Sequence, residues 1–452
     1  MKSINPSHNT IIKEYQELSN SQMETIISDV SKEWQHWKTT SFDSRSRLML
    51  QLAAELRENK EEYAQIITEE MGKPITESLS EVEKSAWVCE YYAQEAELML
   101  KDEVMESDAS HSFVSFEPLG VILAVMPWNF PFWQVFRFVA PTLMAGNVAV
   151  LKHASNVMGC AIAIEKAVRN AGFPANSFRN LAVGSKQVNA IIKNPAIKAT
   201  SLTGSEYAGS KVAEASGKEI KKSVLELGGA DVFIVLKDAL LEEAAPWGVF
   251  SRMLNNGQSC IAAKRFILER EIADDFIQLL LEELKNWKIG NPMEKETMIG
   301  PLARRDLLED LEGQIGDAVS KGAKIISGGK AINGEGFYFE PTVISHLTED
   351  MRIYREETFG PVFSIFVVKN EEEAIAIANN SDFGLGGSLW TKNQMKGVEL
   401  AKRIESGAVF VNGMTKSDPR LPFGGIKKSG FGRELSHYGI KEFVNMKTIW
   451  VK

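Results

Sequence analysis

From residue 120 onward the sequence repeats one pattern: a short β-branched or aliphatic run, then a longer segment whose apolar positions recur every three or four residues, then another short run. "VILAVM" is followed by "FRFVAPTLMAG", "NVAVLKHA" by "GCAIAIEKAVRNAG", and "IKATSLTG" by "SEYAGSKVAEASG". Strand, helix, strand in repetition predicts a parallel sheet with crossover helices, since parallel neighbours cannot be joined by a tight turn. A second alternating stretch, with "RFILER", "DDFIQLLLEELKNW", "EEEAIAIANN" and "GAVFVNG", predicts a second α/β unit. "SVLELGGADVFIVL" (223 to 236) carries two strand-like runs hinged on Gly228 and Gly229. The two units are therefore expected to meet near residue 228. The 452 residues exceed one simple core and suit two or three units of ordinary size.

Residues 45 to 101 read as helices, and Cys89 lies on one of their apolar faces, as Cys160 does in a later helix. Both are expected to be structural. The tail "KEFVNMKTIWVK" and the run "HSFVSFEP" (111 to 118) alternate like strands, and Trp450 sits near the end of the chain. Paired, they would form a protruding sheet with an apolar edge, an association hazard unless a second subunit covers it. A homodimer or homotetramer is expected; packing of the same strands onto the parent subunit is the alternative.

A formal charge of -9 argues against a nucleic-acid or anionic-membrane partner and suits a small-molecule one. Cys89, Cys160 and Cys260 are separated by 71 and 100 residues with no CxxC pair. A reducing cytoplasm is the expected compartment. The opening twenty residues lack a signal-peptide core, and the greasiest run, 121 to 136, is broken by Pro127, Asn129, Pro131 and Gln134; no membrane span is expected. The six histidines are scattered without ligand spacing, so no metal is expected.

Cys260 follows Asn255, Asn256, Gly257, Gln258 and Ser259, all small or polar. That setting predicts a thiol presented from a loop, where backbone N–H donors can stabilise the thiolate. Other polar residues stand in compact motifs: Asn129 in "PWNFP", Lys152 in "LKHAS", Gly204 and Gly209 in "TGSEYAG", Glu226 in "LELGG", and Glu357 in "REETFGP". Each alone has a plain reading, as a turn residue, a strand end, a paired carboxylate or a helix-capping acid. Gly204 and Gly209 are spaced GxxxxG, unlike the usual dinucleotide GxGxxG, so on spacing alone they also fit a tight strand-helix connection.

Taken in order, "PWNFP", "LTGS", "LELGG", "NNGQSC", "EETFGPV" and "PFGGIKKSGFGRE" resemble the signatures of the aldehyde dehydrogenase superfamily across nearly the whole chain. The match is nearest to its short bacterial succinate semialdehyde-oxidising branch, partly through "GRELSHYGIKEFVNMKTIW". The resemblance implies two Rossmann-like parallel-sheet domains plus a small β oligomerisation extension. The cofactor-binding domain would be 1–103 and 121–227, the catalytic domain 228–434, and the extension 104–120 and 435–452. It implies Cys260 as nucleophile, Asn129 with the Cys260 N–H as oxyanion donors, and Glu226 as the base that hydrolyses a thioester, its pKa raised by partial desolvation beside Gly228 and Gly229. It places NADP or NAD against Trp128, Lys152, Ser155, Gly204, Ser205, Gly209, Leu227, Glu357 and Phe359. Pyrophosphate would lie at the helix start after "LTG", and the two glycines would let the chain turn and pack closely.

Two departures matter. Many NAD-preferring relatives carry an acid three residues after the lysine, where Ser155 stands here, so acceptance of NADP is expected. His153 replaces the proline common after that lysine. For the substrate, Trp133 and Arg137 fall at i and i+4 on a helix and would face one pocket, with Ser259 beside the nucleophile. The Arg137 guanidinium would pair a distal carboxylate, and Ser417 resembles the serine completing that carboxylate site. Arg137 as a surface ion-pair partner is the plain alternative. The function expected is oxidation of succinate semialdehyde. Glutarate semialdehyde, an uncharged aliphatic aldehyde, acyl-CoA formation and a catalytically silent scaffold are the other readings.

Overall fold

The computed structural model describes residues 1–452. The first repeating stretch forms a six-stranded sheet in the order Gly430–Phe431, Lys222–Glu226, Ile197–Thr203, Val121–Met126, Val148–His153, Phe178–Asn180. All pairs are parallel except the first. Helices Trp133–Met144, Met158–Asn170, Val188–Lys193 and Glu206–Lys218 make the crossovers. The strand Val121–Met126 is almost wholly buried, as its unbroken apolar sequence requires in a sheet covered on both faces.

At Glu226 the chain leaves this sheet, and at Val232 it enters a second, seven-stranded one. Its order is Lys324–Ser327, Thr342–Ser345, Val362–Val368, Arg265–Glu269, Val232–Val235, Gly387–Trp390, Phe410–Val411. Only the first pair is antiparallel. Alternation along its strands sorts the core: Val232, Ile234 and Ile267 pack to one side, Phe233, Val235, Phe266 and Leu268 to the other, as a period of two dictates. Gly430–Phe431, inside the stretch assigned by sequence to the second unit, instead pairs with Lys222–Glu226 of the first sheet.

The strands His111–Pro118 and Val444–Val451 pair antiparallel over their full length, with Glu103–Val104 at the edge. Three N-terminal helices, Phe42–Glu58, Lys60–Met71 and Ile75–Met99, cover the predicted helical stretch. The sequence reading missed the helix Asn20–Trp37 and the hairpin of Lys2–Asn5 with Thr10–Glu14. No helix is long and apolar enough to cross a membrane.

Candidate active site

The loop bearing Cys260 is built by a left-handed backbone. Asn255, Asn256 and Gly257 have φ of 58°, 57° and 74°, a region that Asn tolerates and Gly favours. At Gly257 a Cβ would stand 2.4 Å from the carbonyl of Gly360, so no other residue fits. The asparagine side chains then fasten the turn. Asn255 Nδ2 donates to the carbonyls of Asn129 (2.7 Å) and Gln258 (2.9 Å). Asn256 Nδ2 donates to those of Gly72 (3.0 Å) and Pro301 (2.9 Å). Sequence reasoning saw a turn here but not that its side chains lock the nucleophile loop to the Asn129 segment.

Cys260 lies between two cavities and lines both. The first, about 240 Å³, is walled by Trp128, Asn129, Thr203 to Ser205, Leu227, Gly228, Glu357 and Phe359. The second, about 320 Å³, is walled by Trp133, Arg137, Ser259 and Ser417 with Lys84 and Phe423. The structure thus gathers most of the residues singled out in the sequence around one sulfur.

Charge at the sulfur differs from expectation. Burial pushes the Cys260 thiol up to about 12, and the Lys264 ammonium, pulling the other way, does not offset it. The shift runs opposite to the expected stabilisation of the thiolate, because desolvation outweighs the Lys264 charge. Lys264, buried itself, donates to the carbonyls of Ser259 (2.9 Å) and Cys260 (2.7 Å) and lies 3.2 Å from Glu357. It ties the nucleophile loop to Glu357, a role legible only in hindsight from "CIAAK".

Glu226 ends its strand at the carboxyl edge of the sheet, fully buried, and neither carboxylate oxygen has a hydrogen-bond partner. Its pKa is driven well above the usual carboxylate range by burial first and by neighbouring Glu434 second. The raised direction matches expectation, but the surroundings do not. The carboxyl sits against Gly424, whose Cβ would be 2.7 Å away, and it lines neither cavity. The Asn129 amide is likewise committed in part: Nδ2 donates to Gln258 O (3.0 Å), and Oδ1 accepts from Gln134 Nε2 (3.0 Å). One N–H of that amide remains for the first cavity, which Asn129 lines.

On the cofactor side, Ser205 caps the helix Glu206–Lys218, accepting from Ala208 N. The backbone N–H groups of Glu206 and Tyr207 have no backbone partner, which suits a pyrophosphate. Of the two glycines only Gly209 is sterically demanded, because a Cβ would stand 2.5 Å from Leu227 Cδ2; at Gly204 the nearest atom is 3.7 Å away, an ordinary contact. The expectation of a tight approach at Gly204 is thus corrected. Glu357 accepts from Gly229 N (3.0 Å), and Phe359 packs edge-on to Trp128 at 5.7 Å. A carboxylate, an aromatic wall and a helix start lining one cleft fit a nicotinamide dinucleotide.

Lys152 and Ser155 line neither cavity; they lie at the carboxyl end of Val148–His153 and at the start of the following 3₁₀ turn. Burial lowers the Lys152 pKa, against the pull of Glu17. His153 is buried and held neutral by burial, its pKa down to about 4. Its Nδ1 stands 2.9 Å from Ala154 N and 3.2 Å from Met126 O, and its Nε2 3.0 Å from Pro131 O. The histidine in place of proline therefore fastens this strand end to "PWNFP".

On the substrate side, Arg137 is not a surface ion-pair partner. It is buried, forms an ion pair with Glu434, donates to Thr203 Oγ1 (3.2 Å) and stacks on Phe423 at 4.5 Å. Ser417 Oγ accepts from Trp133 Nε1 and from Lys84 Nζ, both at 3.0 Å. Glu81 accepts from the N–H groups of Phe132 (2.8 Å) and Trp133 (3.0 Å), seating the helix Trp133–Met144; its other oxygen pairs with buried Lys73. Glu81 and Lys84 were not foreseen, although "TESLSEVEK" spaces polar groups for one helix face.

The aldehyde dehydrogenase family model matches residues 1–449. A probable succinate-semialdehyde dehydrogenase [NADP(+)] of Synechocystis sp. is 49% identical over 99% of both chains. Succinate-semialdehyde dehydrogenase [NADP(+)] 1 of Mycobacterium bovis is 44% identical, again over 99% of both. The crystal structure of succinic semialdehyde dehydrogenase from Streptococcus pyogenes in complex with NADP+ superposes with a TM-score of 0.98 at 39% identity, covering 100% of this chain and 99% of that one.

Proposed function

The chain belongs to the aldehyde dehydrogenase family, and from that membership we propose that it oxidises succinate semialdehyde to succinate with NADP or NAD, through a thiohemiacetal and a thioester on Cys260. The observation that carries the reading is the placing of Cys260 in the shared wall of two cavities. One is fitted for a dinucleotide, the other lined by cations. Bound in the first, the nicotinamide dinucleotide supplies an acceptor for the hydride leaving the substrate carbon.

The chain's own residues do the rest. Cys260 gives up its proton to water in the cleft and forms a C–S bond to the aldehyde carbon, whose C=O π bond breaks to leave the oxygen as an alkoxide. The free N–H of the Asn129 amide and the Cys260 N–H meet that charge; each such donor is worth roughly 3 to 4 kcal/mol in the transition state. Once the carbon is oxidised, the thioester is opened by water. Glu226 takes the water's proton after its side chain leaves Gly424, and the acid departs as the thiol is restored. Trp128, Gly204, Ser205, Gly209, Leu227, Glu357 and Phe359 hold the nicotinamide half and pyrophosphate. Lys152 and Ser155 hold the adenine ribose. Trp133, Arg137, Ser259 and Ser417 hold the aldehyde.

The working division is a cofactor-binding part, 1–103 with 121–227, a catalytic part, 228–434, and an extension, 104–120 with 435–452. The extension supports a homodimer or homotetramer: Val104, Met105, Met446, Trp450 and Val451 are exposed on its sheet, an unpaired apolar edge. The three cysteines are all free, which supports a cytoplasmic setting. The test is absorbance at the reduced-nicotinamide band with NADP and with NAD over a panel of aldehydes. Succinate semialdehyde should give the highest kcat/KM. Equal turnover of uncharged aldehydes, or dependence on coenzyme A, overturns the reading.

A further inference from the structure

Lys264 stands where strand Arg265–Glu269 begins, and its main chain is pinned from both sides: its N–H donates to Asp231 O (2.9 Å) and its carbonyl accepts from Ser364 N (3.1 Å). Its buried side chain turns back on the loop that carries the nucleophile. An ammonium has three protons, and the three nearest acceptors here are Cys260 O (2.7 Å), Ser259 O (2.9 Å) and Glu357 Oε1 (3.2 Å). Ser259 O also accepts from Ala262 N (3.2 Å), so both its lone pairs are engaged. Ser259 O and the Cys260 N–H belong to one peptide unit. That unit is trans, so the two groups point to opposite sides of its plane. The Cys260 N–H therefore leaves away from Lys264, and no backbone acceptor takes it.

Resting on the reading that Cys260 is the nucleophile and its N–H an oxyanion donor, we propose that Lys264 is the positioning residue for that donor. By binding Ser259 O and Cys260 O it fixes the peptide plane between them and polarises it, so the N–H meets the alkoxide already aligned. A donor aligned in advance costs no reorganisation when the charge develops. Charge-assisted bonds are the stronger class. Electron density drawn onto Ser259 O makes the N–H at the other end of the amide a better donor, and hydrogen bonds in series strengthen one another by about 10–30% each.

The ammonium is also felt at the reacting sulfur. Burial raises the Cys260 thiol, and Lys264 is the largest charge pulling it back, with Arg137 on the same side and Glu357 and Asp231 on the other. A lysine present only to neutralise Glu357 would need neither carbonyl bond. Such a counter-ion would act on cofactor binding, whereas a residue that sets the Ser259–Cys260 peptide acts on the step in which the alkoxide forms and expels hydride. The two roles separate by measurement.

The test uses the full chain with Glu226→Gln, which slows loss of the thioester, carrying in addition Lys264→Met, Glu357→Gln or both. Two quantities are read at saturating NADP with succinate semialdehyde labelled at its aldehyde carbon. One is the rate of the burst of reduced cofactor. The other, by isotope-edited infrared difference, is the thioester carbonyl stretch, which falls in frequency as hydrogen bonds to that oxygen strengthen. Lys264→Met should slow the burst about 3- to 30-fold, less than the roughly 10²- to 10³-fold that loss of a whole donor costs. It should also move the stretch to higher frequency. Glu357→Gln should weaken NADP binding and leave the stretch in place. The pair Lys264→Met/Glu357→Gln strands no buried charge, so its comparison with Glu357→Gln gives the same readout if the single Lys264 variant does not fold. If removing Lys264 leaves the stretch unmoved and adds only weakened NADP binding, the lysine is a counter-ion and the proposal fails. If acid-quenched chain with Lys264 intact carries no acyl mass on Cys260, the nucleophile reading falls, and the Lys264 proposal with it.

Discussion

On one side of Cys260 the wall is built around a strand end, a helix start and a glycine turn. Thr203, Gly204 and Ser205 before helix Glu206–Lys218, and Leu227 with Gly228, bring the chain to the cavity, and Trp128, Glu357 and Phe359 close it. On the other side the wall is side chains drawn from four separate segments: Lys84, Trp133 with Arg137, Ser259 with Cys260, and Ser417 with Phe423. A main-chain wall suits a ligand shared by many enzymes, because it depends on fold and on a few glycines. A side-chain wall sets identity, and each member can change without disturbing the sheet beneath.

The shared wall should fail first. Cys260→Ala should abolish turnover, by about 10⁴-fold or more, while leaving both cavities able to bind, as dinucleotide and semialdehyde titrations would record. Residual steady-state activity near wild type would remove the nucleophile from the scheme. Glu226→Gln should come next, slowing the steady state by about 10²- to 10⁴-fold while leaving a burst of reduced cofactor. Because its pKa is raised, the wild-type hydrolytic step should accelerate as pH rises through that elevated value. The variant should lose this dependence; a retained pH profile would assign the base elsewhere.

What was readable in the sequence follows the same division. Cofactor-side residues sit in contiguous motifs, because a strand, a turn and a helix start are neighbours along the chain. "LTGS" and "LELGG" therefore pointed to the cleft directly. Trp133 and Arg137 were legible as a helical pair and do line one cavity. Lys84 was not, because a charge on an amphipathic helix looks solvated until Ser417, 333 residues away, closes over it. The Cys260 thiol and the Glu226 carboxyl were misjudged in setting for a related reason. Loop composition shows the donors a group has nearby but not how much protein is stacked above it, and burial dominates both shifts.

Arg137 tests whether the side-chain wall also bears weight. Arg137→Ala should raise KM for the semialdehyde about tenfold by removing the guanidinium from the cavity. It should also lower the melting temperature, since Glu434 is left buried without its partner, a loss of about 3 to 5 kcal/mol. An unchanged KM in Arg137→Ala would assign the arginine to structure only.

The smallest effect belongs to the one place where a side chain sets identity on the main-chain side. Lys152 and Ser155 line neither cavity and are the residues proposed for the adenine ribose, with Glu17 the opposite charge that pulls the lysine's pKa up. Ser155 opens a 3₁₀ turn and brings no charge, so on the proposed placement a 2′-phosphate would meet the Lys152 ammonium unopposed. Ser155→Glu should shift the ratio of kcat/KM for NADP over NAD by about tenfold toward NAD, since a like-charge contact near the surface costs on the order of 1 to 4 kcal/mol. The shift should shrink as salt is added, because exposed charges are screened. A ratio that does not move would place selectivity in the N-terminal segment around Glu17, and the main-chain wall would then owe its choice of cofactor to a part of the chain outside the sheet.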